Sequence, residues 1–111
     1  MAIDMFGVNA LPAGTPVTKT PGAGVTGPWL DVRSTVGKTY PHRITAYGGF
    51  AGDVVFIERV DGDNTVAANV KVIAQLSNLD EVIVDAPTDW LRARTGANLT
   101  GTAQVLLSPT A

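Results

Sequence analysis

Cysteine is absent from this 111-residue chain. No disulfide staples the fold, and thiolate metal sites, cysteine nucleophiles and dithiol redox chemistry are excluded. Histidine is nearly absent: His42 stands alone between Pro41 and Arg43, with no serine or aspartate at a spacing that suggests a nucleophile and its base, so a surface or strand-end position is expected. No stretch approaches the roughly 18 uninterrupted apolar residues of a membrane-crossing helix. Basic charge is also scarce. Eight Lys and Arg stand against ten Asp and Glu, a formal net charge of −2, which lacks the footprint of a nucleic-acid binder. The opening MAIDMFGVNALPAGTPV carries Asp4 where a signal peptide needs a basic cluster, so a soluble protein made in a cytoplasm is expected.

The motifs whose residue types suit chemistry fail on spacing. DGDN (61–64) begins like a calcium loop, but its sixth place is Val66 and its twelfth is Val72, where glycine and a bidentate glutamate are needed. Asp80 and Glu81 are adjacent, so on a strand they point to opposite faces and do not share acid and base work on one bond. They read as a solvated strand start that protects a sheet edge. GGFAG (48–52) has neither a following helix nor a lysine to make a phosphate cradle, and reads as a bulged turn. No catalytic residue, metal or cofactor is expected.

What the chain does contain is apolar material, 45% of its residues, enough for one core at this length. Residues 1–27 differ from the rest. ALPAGTPVTKTPGAGVTGP interrupts helices and ladders every few positions, and only Asp4 and Lys19 are charged. The segment reads as an extended amino-terminal arm outside the core, dispensable for folding. Ile3, Met5, Phe6, Val8 and Leu11 then mark it as a docking element for assembly.

From Pro28 onward, period-two alternation recurs between turn residues. WLDVRS (29–34), HRITAYG (42–48), DVVFIERV (53–60), TVAANVKVIAQL (65–76), DEVIVDA (80–86), DWLRART (89–95) and TAQVLLS (102–108) predict seven short strands. Residues 67–69 are the one place where a helical turn competes. Seven strands with intervening turns predict an all-β antiparallel sandwich, jelly-roll or immunoglobulin-like, over residues 28–111. Its expected core comprises Leu30, Val32, Ile44, Val55, Ile57, Val72, Val82, Val84, Leu91, Val105 and Leu107.

DWLRART sets Trp90, Arg92 and Arg94 on one face. Three uses remain open: ion pairs to acids such as Asp31 or Glu58, each worth less than about 1 kcal/mol if exposed; a platform for a sugar or anion; or a protein interface.

The succession ITAYGGFAGDVVFIER, a DG hairpin, WLRARTG and a closing GTAQVLL resembles small β-sandwich virion proteins of tailed bacteriophages, of the capsid decoration or cement type. The likeness covers roughly residues 40–108 and departs from the family's pattern at Val66, where an aromatic is usual after the turn. It implies a virion component, most often a decoration or cement protein on the head and sometimes a neck or tail protein. A non-enzymatic protein that bridges coat subunits on the capsid surface is expected, with the major capsid protein as partner and a homotrimer fitting that role. Ile3, Met5, Phe6, Val8, Leu11, Trp90, Arg92 and Arg94 would then be the interface. The alternative is a host-surface or carbohydrate-binding module of a tail or fibre.

Overall fold

A computed structural model describes residues 2–6, 10–11, 22–32, 42–84 and 89–109. Among these, nine strands form two antiparallel sheets: β1 (Ala2–Asp4), β2 (Ala10–Leu11), β3 (Leu30–Asp31), β4 (His42–Tyr47), β5 (Val55–Val60), β6 (Lys71–Leu76), β7 (Glu81–Val84), β8 (Trp90–Thr95) and β9 (Gln104–Pro109). The five-stranded sheet has the order β2-β1-β9-β4-β7, and the four-stranded sheet the order β3-β8-β5-β6. Their inner faces share one core. Ile44, Ala46, Val84, Val105 and Leu107 come from the first sheet, and Leu30, Val55, Ile57, Leu76, Leu91 and Ala93 from the second. The chain is therefore an all-β antiparallel sandwich, as the alternation predicts, and all seven anticipated strands occur. The competing helical turn exists as one 3-10 turn, Ala67–Asn69, before β6.

The two remaining strands come from the segment read as an arm. β1 pairs with β9, setting Ile3 opposite Leu107 and Asp4 opposite Leu106, and β2 pairs with β1. The Met5 amide donates to the Val105 carbonyl at 3.0 Å. The Met5 side chain is fully buried in the core, with Phe6 packed against it. The expectation of an arm outside the core is thus corrected for residues 2–6. Glycine and proline begin only at Gly7, so nothing in residues 2–6 interrupts a strand ladder. Met5 is a core residue, not an interface residue. Val8 lies outside the described residues, as do the side chains of Ile3 and Leu11.

The end of the same segment is fastened to β8. The Gly24 and Gly27 amides donate to the carbonyls of Gly96 and Ala93 at 3.1 and 2.8 Å, and the Thr95 amide donates to the Val25 carbonyl at 2.9 Å. The buried Thr95 hydroxyl accepts from the Val25 amide at 2.8 Å and donates to the Gly22 carbonyl at 2.6 Å. Gly27 is where residues 5–6 cross this strand: a β-carbon there would lie 2.7 Å from the Met5 carbonyl oxygen and 3.1 Å from that of Ala93. Both obstacles are backbone and cannot rotate away. Gly27→Ala is expected to cost about 1–3 kcal/mol, the usual range for overpacking, read as a lower urea midpoint at unchanged slope.

One core assignment changes with register. A bulge between Ile57 and Glu58 sets Val72 opposite Glu58 on the outer face, where it is 46% exposed. Phe50, Leu76, Leu99 and Ala103 join the core from turns and strand ends, places where period-two counting is blind.

The turn from β6 to β7 carries the chain between the sheets and holds Leu79 at φ 70°, with 77% of its surface exposed. Its amide donates to the Ala46 carbonyl at 2.8 Å, so the backbone is pinned while the side chain gains little. A non-glycine residue in this left-handed region costs about 1–2 kcal/mol, and asparagine tolerates it better. Leu79→Asn is expected to stabilise the domain by about 0.5–1 kcal/mol in chemical denaturation; an unchanged or lower midpoint would contradict this.

Candidate interaction surface

β8 alternates as the sequence requires. Leu91, Ala93 and Thr95 face the core, while Trp90, Arg92 and Arg94 occupy the outer face. β5 lies alongside in a register that puts Val60 opposite Trp90, Glu58 opposite Arg92 and Phe56 opposite Arg94. Directly opposed residues have β-carbons about 5 Å apart, so their side chains interact. Arg92 Nε donates to Glu58 Oε1 at 2.7 Å, and Arg94 Nε lies 3.6 Å from Glu58 Oε2. Glu58 belongs to the outer face, yet its side chain is only 6% exposed, because the two arginines lie across it.

Each guanidinium also stacks on an aromatic ring. Arg92 Cζ lies 4.2 Å from the centroid of Trp29, and Arg94 Cζ lies 4.2 Å from that of Phe56. Both spacings fit a cation over the negative face of a ring. The carboxylate, the rings and the strand hold each arginine at its Nε edge. Among the described residues, neither Arg92 nor Arg94 donates a hydrogen bond from its Nη atoms. The Nη ends of both guanidiniums thus carry no partner among the described residues, and the two side chains are 23% and 34% exposed.

Trp90 does different work. Its Nε1 donates to the Gly62 carbonyl at 3.1 Å, while the Gly62 amide donates to Asp89 Oδ2 at 2.8 Å and the Asp89 amide to Asp61 Oδ1 at 3.3 Å. These bonds tie the turn after β5 to the start of β8. The row in the sequence therefore divides: Trp90 fastens a turn, while Arg92 and Arg94 recruit Trp29 and Phe56. Those two partners escape sequence reading, since only the pairing of β3 and β5 with β8 makes them neighbours.

The DGDN motif set aside on spacing acts as a turn. The Asp63 carboxylate accepts from the Thr65 amide and hydroxyl at 2.9 and 2.6 Å, and these bonds hold it below the usual carboxylate range. A cavity of about 190 Å3 opens beside this loop, lined by Arg59, Asp61, Ala68, Asn69 and Lys71. Glu81 pairs with Arg43 at 3.4 Å in the open, on an edge strand. No group of three or more His, Cys, Asp or Glu among the described residues is placed to hold a metal ion. No helix among them is long and apolar enough to cross a membrane.

His42 is not at the surface. It opens β4 but is fully buried, opposite Val84 and Pro109, because its position shares the inward parity of Ile44. Burial disfavours the charged ring and pushes its pKa below the ordinary 6.5. The unfolded chain therefore binds a proton that the folded chain resists, and stability is fully present above about pH 6.5 and declines below it. The slope can reach at most about 1.4 kcal/mol per pH unit for one proton. Asp63, whose pKa is lowered, loses its contribution only below the ordinary 3.8, so the two effects separate. Urea midpoints between pH 7.5 and 5 should fall with acid in the native chain and stay flatter in His42→Leu. Parallel curves would contradict the assignment.

Fold and surface together define an antiparallel β-sandwich that bears an array of arginines stacked on aromatic rings on the outer face of its smaller sheet. Comparison with protein-family models, curated proteins and solved structures finds no match.

Proposed function

We propose that the protein is a non-enzymatic structural component of a tailed-phage virion, decorating or cementing the capsid by bridging coat subunits. The observation that carries this reading is the Arg92 and Arg94 array on the outer face of the smaller sheet, whose Nη ends have no partner among the described residues. Arginine and tryptophan are the residues most enriched among interface anchors, and arginines already fixed lose little side-chain entropy on docking. The resemblance over residues 40–108 supports the same reading. Bridging then rests on the sandwich, because Met5 and Phe6 are committed to the core. A trimer on a local symmetry axis would multiply modest contacts through effective concentration.

The test is co-sedimentation of the full-length chain with undecorated capsids, alongside native mass spectrometry of the free protein and proteomics of purified virions. Saturable capsid binding and a trimer are expected. Absence from virions, together with glycan binding that depends on Trp90, would replace this reading with a carbohydrate-binding tail module.

A further inference from the structure

The row of side chains around the two arginines is unbalanced in charge. Arg92, Arg94 and Glu58 sum to +1, two cations less one anion. Their row neighbours on the outer face are Thr26, which bridges to Arg94, with Trp29, Phe56 and Val72; Gln75 lies opposite Phe56. Among the described residues, none of these row neighbours is charged, and the nearest further acid by register is Asp31, opposite Trp90 and one row away. An incoming anion would therefore meet two guanidinium forks and one carboxylate already consumed by their Nε edges.

The spacing narrows the anion further. Arg92 and Arg94 are two residues apart on one strand, so their α-carbons repeat at about 6.6 Å. An extended peptide with acids at alternate positions has the same repeat and places both carboxylates on one side. Forked pairing of a carboxylate to a guanidinium is the strongest of such contacts, and it needs the planar end that the Nη atoms leave free.

We propose that Arg92 and Arg94 form a receptor for an extended acidic segment of a protein partner, of the pattern acid, any residue, acid, with Trp29 and Phe56 holding the two guanidiniums in place. The proposal rests on the reading above that this face docks on another protein, and it specifies the chemistry of the docked element. Loss of Arg94, which makes the longer contact to Glu58, removes one fork while Arg92 keeps the buried carboxylate paired. Thr26→Glu offers a second variant, since residue 26 is exposed beside Arg94 and a carboxylate there would occupy the fork from within the chain.

The experiment titrates the full-length protein at low salt with a peptide of alternating glutamate and serine, followed by the arginine Nε–H and tryptophan indole signals in 15N spectra. Shifts centred on Arg92, Arg94 and Trp29 are expected, with affinity about tenfold lower in Arg94→Gln and in Thr26→Glu, both checked for native unfolding midpoints. Should Arg94→Gln lower that midpoint, Thr26→Glu decides alone. Equal shifts at Arg43, Arg59 and Lys71, or unaltered affinity in Thr26→Glu, would overturn the proposal. So would preference for a sulfated oligosaccharide over the peptide. Capsid co-sedimentation separates the two readings. Capsid binding that persists unweakened in Thr26→Glu refutes the receptor and leaves the virion role standing. Peptide binding by a chain that ignores capsids does the reverse.

Discussion

Deleting residues 1–6 is expected to remove the cooperative thermal transition of this domain, and Met5→Ala alone to lower its melting temperature by about 10–20 °C. The deletion strips the pairing of β1 from β9, the bond from the Met5 amide to Val105 and the packing of Met5 and Phe6. Truncating a fully buried methionine to alanine costs about 2–5 kcal/mol, by lost transfer energy and by the cavity left behind. Domains of this size are stable by only about 5–15 kcal/mol, so the loss is a large share of the total before the ladder bonds are counted. At about 4 °C per kcal/mol, the shift is well outside measurement error. A truncated protein that melts within about 3 °C of the intact chain would show that residues 1–6 are an appendage after all.

The second large effect concerns Glu58. Replacing Arg92 with alanine removes its 2.7 Å contact and leaves a carboxylate that is 6% exposed with only the 3.6 Å contact to Arg94. Breaking a buried pair by deleting one partner costs about 3–5 kcal/mol, since the remaining charge keeps its desolvation penalty. Arg92 is itself 23% exposed, which admits some water and places the expected loss near the low end. The companion double variant, Glu58→Leu with Arg92→Met, removes both charges and should recover most of the stability. If Arg92→Ala costs under about 1 kcal/mol, the pair behaves as an ordinary exposed ion pair and Glu58 is not shielded as the structure places it. From sequence, such a pair is worth less than about 1 kcal/mol if exposed; the structure instead buries Glu58, so that condition does not hold.

How far the candidate surface was legible follows from the same residues. The face of Trp90, Arg92 and Arg94 could be read at once, because side chains on a strand alternate whatever the strand pairs with. Glu58 could be named as a partner by charge, but not its burial, which needs two arginines from one strand laid across it. Trp29 and Phe56 were beyond reach, since they lie far from Arg92 and Arg94 in sequence and meet them only through strand order. The amino-terminal segment shows the opposite error. Its glycines and prolines begin at Gly7, and averaging over residues 1–27 concealed the uninterrupted run AIDMF ahead of them.

The sequence by itself determined the class of fold, the seven strands after residue 28 and the face on which most strand residues point, because period-two patterning and turn chemistry are local and act within a few residues. Only the tertiary structure decided which strands are neighbours, and hence that Arg92 and Arg94 share one buried glutamate between two aromatic rings. It also decided that Met5 belongs to the core, that His42 is buried, and that the bulge beside Glu58 turns Val72 outward. These outcomes depend on contacts between residues distant in the chain, and a local pattern contains no information about which of several equally apolar strands will lie beside it.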